Sequence, residues 1–228
     1  MPIIIDRRSP KEAIAALEKY GDVHLFESTN VTYEAVSCHP DIFIFENDDG
    51  LIIAPDTPSS TIEFLSRHDV MYEFGETMAG DGAAGSVAYN CIATDRFFFH
   101  RAGFSDPVVL RACDHLEAIM LPQAYTRCSM IALNDHVVTS DMGIYRSLEK
   151  PPVRCHYVSP GNIVLPPYPH GFIGGCCGLF DGKLFVIGSL RHLADCDHLY
   201  SFIEQAGFRV VELYDGPPYD GGGIMFLN

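Results

Sequence analysis

Short apolar runs and amphipathic stretches of helical period alternate along the chain, and the alternation comes round five times. The first round opens with the apolar run at residues 2–5, which reads as a buried strand. Ser9 and Pro10 then predict a helix start, with serine as N-cap and proline at the first helical position. Ala13, Ile14, Leu17 and Tyr20 share one face of that helix, and Gly21 marks its end. The strand VHLFE follows, then a further strand from Ala35 to Phe45. The turn NDDG, an Asp-Gly hairpin signal, delivers the chain into LIIAP. That run begins the second round as residues 2–5 began the first.

The later rounds keep the order. LIIAP leads to a short helix around residues 61–67, the strand VMYEF, a glycine-rich connection and the strand SVAYNCIAT, turning at Asp95-Arg96. RFFFH precedes the helix VVLRACDHL, then EAIMLP and YTRCSMIAL, with a turn at Asn134-Asp135. HVVTS comes next, with a helix near residues 144–149, a strand pair between Val153 and Leu165, and FIGGCCGLF before the turn DGK. LFVIGSL, the helix DHLYSFIEQAG, FRVVELY and GGGIMFL complete the fifth round. The aromatic runs at Phe43–Phe45 and Phe97–Phe99 read as strand cores rather than stacking platforms. Strand, helix, strand, strand, repeated five times, predicts a single domain with unit boundaries at 1–50, 51–95, 96–135, 136–182 and 183–228.

Composition narrows the function. Over 228 residues, 30 acidic side chains face 15 basic ones, a net charge of −15. Such a surface repels phosphate backbones, so no nucleic-acid partner is expected. No apolar run is long enough to span a bilayer, and the opening MPIIIDRRSPKEA is no signal peptide. The 8 cysteines then read as reduced thiols of a cytoplasmic protein without a membrane partner. HExxH, GxSxG and the P-loop are missing from the sequence, and with them the marks of those hydrolase and nucleotide classes.

Five such rounds resemble the pentein fold of the guanidino-group-modifying superfamily, which includes deiminases, dimethylarginine hydrolases, amidinotransferases and a non-enzymatic ribosome factor. DGGGIMFLN is similar to that superfamily's glycine-triplet strand. HPDIF, YTRCS, TSDMGI and GFIGGC resemble an uncharacterised, DUF6873-like bacterial branch. The resemblance implies an α/β-propeller of five blades with pseudo-fivefold symmetry, helices outside and strands lining a central channel. It also implies a cysteine at the third position after the glycine triplet, where Phe226 stands, and a histidine in a Gly-His-hydrophobic-Asp stretch, where GFIGGCCG offers neither histidine nor aspartate. Standard arginine or agmatine deimination is therefore not expected.

Repeat-equivalent positions nevertheless carry thiols and polar groups. Cys38, Asn90, Cys91, Cys128, Ser129, Cys176 and Cys177 are expected around the axis, forming a pocket for a small polar or cationic metabolite. Cys176 or Cys177, activated by His39 or by an electropositive setting, is the candidate for a relocated nucleophile; the competing reading makes these thiols small apolar packing residues. Cys38, Asp41, Asn90, Cys128, Asp141 and Asp220 are candidate ligand contacts. For Asp41, Asp141 and Asp220, clamping a cation competes with capping a turn, and for Asp48, Asp49, Asp135 and Asp181 turn capping is expected. Arg127 and Arg154 are anion-binding candidates, exposure being the default state of arginine. Adjacent Cys176-Cys177 and Cys38-His39 are poor chelating pairs, so no metal and no cofactor is assigned. The choice between a divergent thiol enzyme of amidinohydrolase or amidinotransferase type and a non-catalytic binding or interaction module stays open.

Overall fold

The structure is a computed structural model that describes residues 1–47, 50–80 and 82–227. The expected turn-capping residues Asp48 and Asp49 lie outside the described residues. In chain order the strands are β1 (Pro2–Asp6), β2 (Asp22–Phe26), β3 (Ile44–Asn47), β4 (Gly50–Ile53), β5 (Tyr72–Phe74), β6 (Ile92–Ala93), β7 (Phe97–His100), β8 (Glu117–Met120), β9 (Met130–Leu133), β10 (His136–Thr139), β11 (Arg154–Tyr157), β12 (Cys177–Phe180), β13 (Lys183–Val186), β14 (Arg209–Glu212) and β15 (Ile224–Phe226).

They form five three-stranded sheets with orders β15-β1-β2, β3-β4-β5, β6-β7-β8, β9-β10-β11 and β12-β13-β14. In each, the first pair is antiparallel and the second parallel. A parallel pair needs a crossover connection, usually helical. The amphipathic stretches supply it as the helices Lys11–Leu17, Ser59–Arg67, Pro107–Ala112, Met142–Ser147 and Cys196–Gln205. The last strand of each round therefore pairs with the first strand of the next round. The fifth round pairs back to the first, with Ile3 opposite Phe226, Ile4 opposite Met225 and Ile5 opposite Ile224.

Alternation across β1 explains why its whole run is apolar. Ile3 and Ile5 pack with Leu17, Phe185 and Phe226, whereas Ile4 packs with Phe26, Ile44 and Met225. Both faces of the strand are buried, so residues 2–5 are apolar, and Asp6 at its end is tolerated because Arg8 bonds both its oxygens. The strands β2, β5, β8, β11 and β14 are partly exposed at the outer edge. Hairpin turns use the expected residues, with positive φ at Asn134, Asp181 and Gly182. Side chains at two of these turns also bond to other side chains: Asp135 meets His136 Nδ1 at 2.7 Å and Asp181 accepts from Lys183 Nζ at 2.6 Å.

Several local expectations are corrected. Pro10, not Ser9, precedes the first helix, because its ψ of 135° is extended and the helix starts at Lys11. Ser9 instead donates its backbone N–H to the Asp6 carbonyl. The strand pair expected between Val153 and Leu165 is β11 plus one bridge, Val164 to Tyr219. The long strands expected at residues 35–45, 86–94, 125–133 and 172–180 are short strands preceded by turns. Among the described residues no helix is long and apolar enough to cross a membrane.

Phe226 stacks on Phe180 at 5.4 Å between ring centroids and tilts against Phe185 at 4.7 Å. Phe226→Ala is expected to lower unfolding free energy by about 3–5 kcal/mol in urea titrations. A loss below about 1 kcal/mol would mean that β15 is not part of the folded core.

Candidate functional site

The turns that enter the last strand of each round build the site. Pro40–Ile42 and Gly174–Cys176 are single turns of 3-10 helix, and Thr126–Ser129 is a single α-helical turn. Before β15 the chain passes through Gly222 and Gly223, both at positive φ. Successive side chains on a helical turn are rotated by about 100°, not thrown to opposite faces. A turn residue can therefore aim at the neighbouring round instead of into its own sheet.

Hydrogen bonds join these turns to one another. Asn90 Nδ2 donates to the Asp41 carbonyl at 3.4 Å and to Cys128 Sγ at 3.4 Å, while its Oδ1 accepts the Cys128 N–H at 3.2 Å. Asp220 Oδ2 accepts the Phe172 N–H at 2.8 Å, and its Oδ1 accepts the Gly222 N–H at 3.2 Å. Arg127 Nη1 donates to the Gly222 carbonyl at 2.7 Å. The packing is close enough to demand glycine. A Cβ on Gly175 would lie 1.9 Å from Asp220 Oδ1, and one on Gly222 would lie 2.5 Å from His39 Cβ.

His39, Asp41 and Cys128 meet at the centre, with one potential ligand atom from each lying within 4.8 Å of the others. The Cys128 thiol donates to Asp41 Oδ2 at 2.8 Å. Arg127 Nη1 stands 3.8 Å from the same oxygen. Asp41 Oδ1 and both ring nitrogens of His39 are buried without a hydrogen-bond partner. Asp6 Oδ2 is 3.7 Å from His39 Nε2 and Asp220 Oδ1 is 3.9 Å from His39 Nδ1, so a carboxylate flanks each side of the ring. Asp6 is itself held by Arg8, whose backbone N–H and guanidinium reach its two oxygens at 2.6 and 3.0 Å.

Burial sets the electrostatics. It pushes the His39 imidazole down to about 3, with the positive charge of Arg8 adding to the effect. It pushes Asp220 up to about 7, against the lowering hydrogen bond from Phe172, and raises Asp41 and Asp6 despite their arginine neighbours. The Cys128 thiol is driven well up by burial and by the charge of Asp41. Burial thus shifts each of these groups toward its neutral form.

The expected residues divide accordingly. His39, Asp41, Asn90, Cys128 and Asp220 come together. Cys38 is buried beside Ser37 at 3.8 Å, with burial and the charge of Asp6 raising its thiol. Asp141 is engaged elsewhere: its Oδ1 caps the helix Met142–Ser147 by accepting the Ile144 N–H at 2.8 Å, and its Oδ2 accepts from Gln123 at 3.3 Å. Cys176 turns into an apolar cluster with Ile173 and Leu190 and donates to the Phe172 carbonyl at 3.3 Å. Among the described residues no hydrogen bond joins His39 to Cys176 or Cys177. Arg127 is not the exposed arginine expected, its side chain being only 16% accessible. Sequence reasoning missed Asp6 and Arg8. Their signal was the carboxylate that closes the otherwise apolar run PIIID.

A cavity of about 580 Å³ opens beside this centre, lined by Arg127, Cys91, Cys177, Gly174, Ile224 and Leu227 among others. Arg127 therefore belongs both to the cavity wall and to the buried centre.

The fold is similar to that of the pentein enzymes. DDAH from Pseudomonas aeruginosa, solved in complex with citrulline, is similar at a TM-score of 0.50 and 11% identity, covering 92% of this chain and 91% of that one. SxtG, an amidinotransferase of saxitoxin biosynthesis from Microseira wollei, is similar at a TM-score of 0.55 and 9% identity, covering 92% and 87%. At such identities the likeness is one of fold. No curated protein matches the chain. Residues 4–225 match the model of the family of unknown function DUF6873, and the chain belongs to that family.

The close approach at Gly175 gives a direct check of the site's packing. Gly175→Ala is expected to cost about 1–3 kcal/mol, read by chemical denaturation, because the added methyl meets a carboxylate that backbone bonds hold in place. Gly161→Ala, whose Cβ would meet only Ser159 Oγ at 3.9 Å, is expected to change stability by less than about 0.5 kcal/mol. Equal effects would contradict the packing described.

Proposed function

We propose that the five sheets close into a ring about a pseudo-fivefold axis and that the axis binds a small polar metabolite, admitted through the cavity and anchored on Arg127. Closure is supported by the contacts between entry turns, which run from Asp41 to Asn90 to Cys128, from Arg127 to Gly174, from Gly175 to Asp220, and from Gly222 back to His39. The single observation that carries the binding reading is the position of Arg127. Arg127 lines an open cavity while its guanidinium reaches a buried carboxylate, so a ligand's polar or anionic group admitted there would meet a charge already desolvated on its inner side.

Arginine or agmatine deimination does not fit this chain. Phe226, at the place the pentein resemblance gives to the nucleophile, is packed among aromatic rings. No ammonia or citrulline is expected from either compound, and turnover of about 1 per second or faster would overturn this. The binding reading is tested by thermal denaturation against a panel of small carboxylate, amine and amidine metabolites. A ligand at a hundred times its Kd should stabilise the protein by about 2.7 kcal/mol. That gain should vanish in Arg127→Gln, whose fold is checked by circular dichroism, and survive in Arg154→Gln. An unaltered gain in Arg127→Gln removes Arg127 as the anchor.

A relocated thiol nucleophile is the second reading. Cys177 carries it, because it lines the cavity and the charge of Arg127 partly offsets the burial that raises its thiol. Under the binding reading, iodoacetamide at neutral pH labels neither Cys176 nor Cys177 faster than Cys113, since buried thiols carry little thiolate. Selective, ligand-protected labelling of Cys177 would favour the enzyme.

A further inference from the structure

We propose that His39, Asp41 and Cys128 form a zinc site at the centre of the molecule, a site distinct from the metabolite cavity. Spacing along the chain gives no hint of it, because the ligands come from two different rounds and only the entry turns bring them together. Three observations support it independently.

The donor set is the first. An imidazole nitrogen, a carboxylate oxygen and a thiolate sulfur are the three ligand types that zinc takes, and together they exclude the hard ions calcium and magnesium. Their atoms already lie within 4.8 Å of one another, and side-chain rotation that draws them to about 3.5 Å would give the neighbour spacing of a tetrahedral zinc.

The second is what these atoms lack. Asp41 Oδ1 and both nitrogens of His39 are buried without a hydrogen bond of ordinary length and angle, and such polar atoms are costly unless something outside the chain satisfies them. A divalent cation accepts electron pairs from both residues at once. It also changes the charge balance: Asp41 and Cys128 ionised against one zinc sum to zero, which removes the penalty of burying either anion alone.

The surrounding shell is the third. Metal-bound histidine characteristically offers its other nitrogen to a carboxylate. Here Asp6 faces one side of the ring at 3.7 Å and Asp220 the other at 3.9 Å, so the arrangement is available whichever nitrogen binds the ion. Asn90 Nδ2 donates to Cys128 Sγ at 3.4 Å, a bond that stabilises a thiolate. On binding, the thiol proton now donated to Asp41 is released to solvent, and Sγ and the carboxylate both turn to the ion. With three protein ligands, the fourth position is left for water or a small molecule.

The test uses the full chain, purified without chelators from zinc-supplemented medium and kept free of metabolite, so that failure of the metabolite reading leaves the outcome unaffected. Inductively coupled plasma mass spectrometry should find about one zinc per chain, released to a chromogenic chelator only on denaturation. Protein refolded with cobalt should show a thiolate-to-cobalt charge-transfer band. Cys128→Ser should lose that band, whereas Cys38→Ser and Cys177→Ser should keep it. Should Cys128→Ser fail to fold, Asn90→Ala replaces it, with zinc affinity expected to fall by about 10–100-fold. Folded wild-type protein with only trace zinc and no cobalt–thiolate band overturns the proposal. So does a band that persists in Cys128→Ser, or zinc affinity unchanged in Asn90→Ala.

Discussion

The antiparallel pairing of each round's last strand with the next round's first strand is the bond on which the rest of the molecule depends. No round owns a complete sheet, so none can bury its apolar faces alone. The same pairing positions the polar centre. The register that sets Ile44 opposite Ile53 places Asp41 three residues before the sheet begins, and Cys177 opposite Val186 places Gly175 just beyond its end. The side chains that meet at the centre are thus held by the ends of sheets whose hydrogen bonds lie outside it.

The centre runs against the chemistry of an ordinary core. Asp6, Asp41 and Asp220 are all essentially inaccessible, with Arg8 and Arg127 the arginines beside them. Backbone N–H groups satisfy Asp220, and Arg8 satisfies Asp6, but His39 and one oxygen of Asp41 are left without a bond. Apolar residues of similar volume would fill that space at lower cost. Violations of local rules concentrate where a protein does something, and here Asp6, the buried carboxylate that closes β1, joins Asp41 and Asp220 from two other segments.

Much of this was legible in the chain. The five apolar runs became the central strands and the amphipathic stretches became the crossovers, because both signals depend on periodicity over several residues. The entry turns were not legible. SVAYNCIAT and YTRCSMIAL are buried throughout most of their length, and a buried turn is as apolar as a buried strand. The repeated offset before each last strand still led to Asn90 and Cys128, while Asp41 and Asp220 stood out as acids beside strand ends next to the family-like words. It misled at Cys176, where the 3-10 turn rotates the thiol into the apolar cluster. It could not reach Asp6 or Arg8, which stand at the opposite end of the round.

The sheet β15-β1-β2 joins the earliest strand of the chain to the latest. A ribosome delivers β1 long before β15, so until β15 emerges one backbone edge of β1 has no partner. Ile3, Ile4 and Ile5 wait beside it. An uncovered, apolar strand edge is a template for pairing with other chains. The nascent protein therefore carries an aggregation hazard that ends only when its final strand arrives. Slow translation of the last round would lengthen that exposure without altering a single contact of the finished fold.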